Sequence, residues 1–230
     1  MVLMEYFDTG NDPRILLLEA SAKVALKLAG RKIPGLRRGV LEEPLKKIDA
    51  LLKKVRWSYL PKNDLIRSEM VKELDKNANE LWKIVEENRL KEKDDLLYKF
   101  LRFFVKNIMS FKDRLFLPDK PSSAVDVKFV KVISVQKHPK AEKLYIAWVT
   151  DGSEKFEVVT NDPTVKSGEV LLLSFLPPKE FMGVVSEGMF LGGNGIRRGK
   201  EDDIGKRPEL SEIEDRRLSG EVLGFIKANL

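Results

Sequence analysis

Cysteine is absent from this 230-residue chain, and histidine occurs once. The first absence excludes a disulfide framework, a thiolate zinc site and a cysteine nucleophile. The second removes the histidine pairs on which most zinc and two-metal sites depend, so no metal or other cofactor is expected. Glutamine is nearly missing too, with Gln136 alone, while lysine and glutamate abound. That bias suits a thermophile, because glutamine and cysteine are thermolabile and charged networks cost less to desolvate when hot. No apolar run approaches the ~20 residues of a membrane span. Met1-Val2-Leu3-Met4 is followed at once by Glu5 and Asp8, unlike a secretory leader. A cytoplasmic protein with no membrane partner is expected.

Enzyme signatures fail one after another. From Asn194 to Glu201 a phosphate loop nearly forms, but Asn194 stands where the first Gly is required. Glu201 stands where Ser or Thr must follow Lys200, so the phosphate cradle and magnesium ligation are both lost. A dinucleotide fingerprint over the same stretch fails at Arg198, the third Gly position. Ser186 is no nucleophile elbow, since Val184 replaces the glycine that motif needs. The expectation is a protein without catalytic residues.

The net charge of +6 is unevenly spread. Residues 1–120 hold 26 Lys and Arg against 19 Asp and Glu, whereas residues 121–230 hold 16 against 17. Within 23–56 alone there are eleven basic residues and three acidic ones. A patch of this kind attracts phosphate without reading sequence. Its alternative is a solvated helix face in a lysine-rich chain.

The first half reads helical. Asp12 followed by Pro13 makes an N-cap and N1 pair, and Gly30 can stop a helix over Pro13–Ala29. A second helix is predicted over about Glu43–Ser58, with Pro61 ending it. Asn63 can cap a single long third helix through about Arg89, and a fourth follows over about Asp94–Ser110. That fourth segment is too apolar for a surface helix. Short connections favour an antiparallel bundle over residues 1–117, with an open helical array that docks on a partner as the alternative. Arg31, Lys32, Arg37 and Arg38 fall in the connection between the first two helices, where Gly30, Pro34 and Gly35 keep the chain irregular and exposed.

Pro118 to Ser123 is read as an exposed linker. Beyond it the apolar period falls to near two. Strands are expected over Val127–Val135, Leu144–Val149, Phe156–Val159, Val170–Leu176 and about Ser186–Leu191. Five short strands with Gly turns fit a small closed or nearly closed barrel over 124–195, the geometry of an OB fold. A charged extension over 196–230 offers two short helical stretches, near Pro208–Leu218 and Glu221–Ala228.

Two segments of this second half carry a resemblance. Lys137-His138-Pro139-Lys140-Ala141-Glu142-Lys143-Leu144-Tyr145 is followed by Ser186-Glu187-Gly188-Met189. The pairing resembles the tRNA-binding OB domain of stand-alone bacterial tRNA-binding proteins. That domain is also appended to many methionyl-tRNA synthetases, inserted in the phenylalanyl-tRNA synthetase beta chain and placed at the C-terminus of the endothelial monocyte-activating polypeptide. The likeness covers about residues 124–193, and the overall layout resembles an archaeal group of RNA-binding proteins.

Physically, Lys137, Lys140 and Lys143 sit on or beside the loop that Pro139 stiffens, where ammonium groups can meet phosphates. His138 is either a contact or a packed turn residue. The resemblance implies that the Ser186 hydroxyl and Met189 thioether lie at the binding face, with Gly188 allowing close backbone approach. Asn161 matches a position where relatives carry a small or amide residue; its amide can bond the sugar or phosphate, or cap a turn. Thr160-Asn161-Asp162-Pro163 departs from the Ser-Gly common in the family, and Lys140-Ala141-Glu142 departs as well. The resemblance implies tRNA as partner, recognised by shape and backbone. It further implies an aminoacyl-tRNA synthetase as a protein partner and a homodimer as an assembly. A protein-interaction module, chaperone-like or synthetase-docking, is the rival reading.

Overall fold

The computed structural model describes residues 7–230, in two compact units. The opening residues that bear on a leader sequence lie outside the described residues. One unit comprises the helices up to Ala124 together with Gly220–Leu230, and the other runs from Val125 to Ser219.

In the helical unit, α1 (Pro13–Ala29) begins where the Asp12-Pro13 pair predicts, with the Asp12 carboxylate accepting from the Arg14 amide. This helix is buried on nearly every side, so it is a central element rather than an amphipathic surface one. Helix α2 (Glu42–Arg56) follows. The long third helix expected from Asn63 is instead two, α3 (Lys62–Arg67) and α4 (Glu69–Glu87). Ser68 divides them: its backbone is extended, and its Oγ accepts from the Val71 amide while donating to the Leu65 carbonyl. Serine competes with the helix for backbone hydrogen bonds, and here it caps rather than continues.

A short turn of helix, α5 (Leu90–Lys93), precedes α6 (Asp95–Met109), which Asp94 caps through the Leu97 amide. Helix α7 (Phe111–Leu115) is brief. Helix α1 packs on α2 and α6, and α4 packs on the same two, so these four enclose the core.

One buried cation ties this unit's two ends. The Arg14 guanidinium bonds the Asp12 carboxylate, Asp119 at 2.6 Å, and the carbonyls of Arg114 at 2.9 Å and Leu117 at 3.3 Å. Burial works against the charge on Asp119, but bonds from Lys62 and Arg14 outweigh it and hold the carboxyl below its ordinary value. The expected exposed linker is accordingly only partly so. Pro118, Asp119 and Lys120 are exposed, whereas Ser122 and Ser123 are buried in a 3-10 turn, Pro121–Ala124.

The second unit is an antiparallel sheet of β1 (Val127–His138), β2 (Ala141–Thr150), β3 (Lys155–Thr160), β4 (Val170–Phe181) and β5 (Val184–Phe190). Its order is β3-β2-β1-β4-β5. Strand β1 pairs with β4 over its first residues and with β2 over the rest, with an irregularity between Val132 and Ser134. That offset lets one strand serve two neighbours and coil the sheet around Val130, Val132, Ala147, Val149, Val158, Leu171 and Leu173. The fourth strand does not end at Leu176. Pro177 and Pro178 occupy a break in the β4–β5 register, where no ladder donor is demanded of them, and pairing resumes at Lys179.

The segment after β5 lies against this sheet. Leu172 donates to the Arg197 carbonyl, Gly199 to Val170, and Gly205 to Phe129. A side chain at 199 would meet the Phe129 ring at 2.7 Å, so only glycine lets the strand approach. The extension then forms one helix, α8 (Glu212–Asn229), not two. A reciprocal capping box starts it: Ser211 Oγ accepts from the Glu214 amide, and Glu214 accepts from the Ser211 amide. Gly220 and Gly224 face open space, and about 1 kcal/mol each is too little to break a helix that buries Leu218, Val222 and Ile226. Among the described residues, no helix is long and apolar enough to cross a membrane.

The β2–β3 turn generates a pH prediction. Burial opposes the charge on Asp151, but the amides of Glu154 and Ser153, the Ser153 hydroxyl and Lys128 all bond it, holding the carboxyl far below its ordinary value. A depressed folded value means that the stabilisation is complete above the unfolded pKa, ~3.9, and is lost as pH falls below it. Asp151→Asn should therefore destabilise the protein by about 1.5–3 kcal/mol at neutral pH. Urea unfolding should show that gap unchanged down to about pH 5 and shrinking below about pH 4. An equal gap at all pH values would remove the charge from the account.

Candidate nucleic-acid interface

The tips of two hairpins meet at one end of the sheet unit. The β1–β2 hairpin turns through Pro139-Lys140, where His138 pairs with Ala141. The next pair is Lys137 with Tyr145, so Glu142, Lys143 and Leu144 bulge out of the ladder. The β4–β5 hairpin turns through Met182 and Gly183, both at positive φ, the two-residue geometry that matches strand twist. A Cβ built on Gly183 would lie 3.6 Å from the Lys140 ammonium, so the two tips are neighbours.

His138 joins them. It is buried, its Nδ1 accepts from the Lys140 amide at 3.1 Å, and its Nε2 lies 2.9 Å from the Phe181 carbonyl. An accepting Nδ1 places the ring hydrogen on Nε2, which donates to Phe181. Both ring nitrogens are thus engaged within the protein, and His138 sets the loop rather than facing outward. The lysines differ. Lys137, Lys140 and Lys143 are exposed, and among the described residues their ammonium groups have no ion pair. Lys179 adds a fourth cation at this end, 5.6 Å from the Phe181 ring centre.

Beside the tips lies an open groove of ≈ 400 Å³. Leu144, Thr160, Asn161, Phe181, Met189 and Arg217 are among its walls. Asn161 is exposed, and its amide has no hydrogen-bond partner among the described residues. The capping role that was its alternative falls to Asp162, which accepts from the Thr164 amide and hydroxyl. Met189 is half-buried on the groove wall.

Ser186 is placed otherwise. Its side chain is buried, with Oγ accepting from the Val159 amide at 2.9 Å and donating to the Gly188 carbonyl at 3.0 Å. Glu187, also buried, accepts from the Glu157 amide at 3.0 Å. Both bonds reach from β5 to β3, the two edge strands of the sheet. The Ser186 hydroxyl therefore has its proton committed inside the unit. Gly188 is needed by close approach: a Cβ there would sit 2.4 Å from the Ser174 carbonyl oxygen.

Several groove residues escaped the sequence reading, Leu144, Phe181 and Arg217 among them. Leu144 reads as core by composition, yet the bulge turns it to the groove wall. Phe181 lies beyond the two prolines that hide the end of β4. Arg217 is on α8, 74 positions past Lys143, and no local pattern marks it. The remaining sequence candidates, Arg31, Lys32, Arg37 and Arg38, belong to the helical unit, where all four are exposed in the α1–α2 connection.

Comparison with known proteins adds a family to this geometry. Residues 127–213 match the family described as "Putative tRNA binding domain", and residues 4–117 match one described as "Alpha helical domain". The phenylalanine–tRNA ligase beta subunit of Leptospira borgpetersenii is 42% identical over 73 residues, 28% of this chain and 9% of that protein. The corresponding subunit of Thermotoga maritima is 36% identical over 95 residues, 36% of this chain and 12% of the relative. The methionine–tRNA ligase of Treponema denticola is 34% identical over 80 residues, 32% of this chain and 10% of the ligase. The chain thus spans about a tenth of the length of these relatives.

The geometry of Ser186 yields a stability prediction. Ser186→Ala leaves the Val159 amide without its acceptor, which costs about 1–3 kcal/mol. Chemical denaturation should show that loss in the protein without RNA. Unchanged stability combined with weaker tRNA binding would return the hydroxyl to the binding face.

Proposed function

We propose, from the tRNA-binding domain that residues 127–213 carry, that this chain binds tRNA through its sheet unit and performs no chemistry of its own. The family match is the observation that carries the reading. The site chemistry supports it, since unpaired cations on Lys137, Lys140 and Lys143 stand beside a groove with a free amide and a thioether. The sheet would act as an OB-type barrel whose loops grip the RNA. Ammonium groups are point charges that meet phosphate oxygens without reading bases, so recognition is by backbone and shape. His138 and Ser186 position the loops and strands in this scheme, while Lys137, Lys140, Lys143, Asn161 and Met189 make the contacts.

That the matched relatives are tRNA ligases supports a cytoplasmic role beside an aminoacyl-tRNA synthetase. The sequence holds a single histidine and no Lys-Met-Ser-Lys run, so the paired histidines and the lysine loop of a ligase ATP site have no counterpart in it.

A gel-shift titration of total tRNA against single-stranded DNA of equal length tests the reading. Preference for tRNA is expected, and equal or absent binding overturns it. The double change Lys140→Ala and Lys143→Ala should weaken tRNA binding and leave thermal stability nearly intact, because both side chains are exposed and have no ion pair among the described residues. Each phosphate left without its ammonium should lower the slope of log K against log salt by about 0.7–0.9. Unchanged affinity and slope would make these lysines a solvated face.

A further inference from the structure

The α1–α2 connection, residues 30–41, holds Arg31, Lys32, Arg37 and Arg38 and no carboxylate. All four side chains are exposed, and none has a hydrogen bond or ion pair among the described residues. Elsewhere on this unit cations sit beside acids, as Lys53 does with Asp49, Lys72 with Glu69 and Lys112 with Asp75. The nearest acids in sequence are Glu42 and Glu43, and Lys46 already engages Glu43.

The connection is also held in shape. Ile33 and Leu41 are buried and pin it to the core at two points. Gly35 and Gly39 take positive φ, and Lys93 donates to the Gly35 carbonyl at 2.8 Å, bringing a fifth cation to the rim. The result is a concave surface of ≈ 620 Å³, walled largely by this one loop. Three of its four free cations are arginines, whose planar forks match phosphate oxygens in pairs.

We infer that this loop is a second RNA contact, a sequence-independent seat for the phosphate backbone of the same tRNA that the sheet unit binds. The inference rests on the proposed tRNA binding and deepens it. Four unpaired cations in one concavity exceed what a single small anion needs, whereas a polyanion presents phosphates in series and releases counterions to each. The sheet unit adds little long-range attraction of its own, because residues 125–219 hold 15 basic against 16 acidic side chains. Once one unit holds the RNA, binding by the other becomes intramolecular and adds avidity without a high affinity of its own.

The test compares three full-length proteins by salt titration of tRNA affinity. One is wild type, one carries Arg31→Gln, Lys32→Gln, Arg37→Gln and Arg38→Gln, and one carries Lys47→Gln, Lys54→Gln, Lys76→Gln and Lys83→Gln. The last set is exposed, lies outside the loop and lowers net charge by the same amount. Circular dichroism and melting temperature verify that both variants fold. The loop variant should bind tRNA at least tenfold more weakly, and its salt slope should fall by about 0.7–0.9 for each phosphate it no longer neutralises. The control should stay close to wild type. Equal weakening of both variants would reduce the loop to a long-range field and overturn the inference. No change in the loop variant would overturn it as well, leaving the loop to a protein partner or to solvent. Failure of wild type to bind tRNA would instead bring down the functional reading, and this inference with it.

Discussion

An antiparallel sheet of five strands ends in two rows of backbone amides and carbonyls that need partners, and the sheet unit depends on how they are met. Strands β3 and β5 are its edges. Two side chains of β5, on Ser186 and Glu187, accept the amides of Val159 and Glu157 on β3. A serine and a glutamate are thereby buried in a strand, which would be costly if their polar atoms were unmatched. Much of the surrounding geometry serves this seam. Gly188 lets β5 press against β4, and the Pro177-Pro178 break releases the register so that Ser186 pairs with Lys179. With β3 and β5 held together, Asn161 at the end of one and Met189 on the other wall a single groove. The groove follows from a hydrogen-bonding requirement of the fold.

Charge is used in two ways along this chain. Arg14 is buried and satisfied at every donor group, so it binds the start of α1 to residues 114–119 and presents nothing to solvent. The lysines of the hairpin tips and the cations of the α1–α2 connection are exposed and unpaired among the described residues. Removing the first kind leaves an uncompensated buried carboxylate at about 3–5 kcal/mol, whereas removing the second costs stability almost nothing. Only the second kind can exchange solvent counterions for phosphate.

The candidate site was legible in part. The Lys137–Lys143 cluster could be read directly, because a proline-stiffened turn between two strands must be exposed and its lysines with it. Asn161 and Met189 came from resemblance and lie on the groove. His138 and Ser186 came from the same motif and face inward, since a motif records which residues recur without separating those that touch a ligand from those that shape its seat. Arg217, Phe181 and Leu144 were hidden for a different reason. Each reaches the groove through a feature with no local signature: a helix far along the chain, a strand continuing past two prolines, and a bulge that reverses a side chain's face.

Helix α1, its Asp12-Pro13 start and the Asp94 cap of α6 were determined by sequence alone, because capping is an interaction between residues within one turn. The switch from helical to strand period after residue 124 was equally local. The split at Ser68 was legible in kind but missed, since serine serves helix interiors and caps alike and neighbouring packing selects between them. Tertiary structure decided the rest. A single helix runs through Gly220 and Gly224, and the burial of Leu218, Val222 and Ile226 offsets the cost of about 1 kcal/mol for each glycine. The assignment of Gly220–Leu230 to the helical unit, the seam from β5 to β3 and the outward freedom of the basic loop all depend on partners distant in sequence. Periodicity and capping report on neighbours in the chain; burial and the pairing of charge are settled only where distant residues meet.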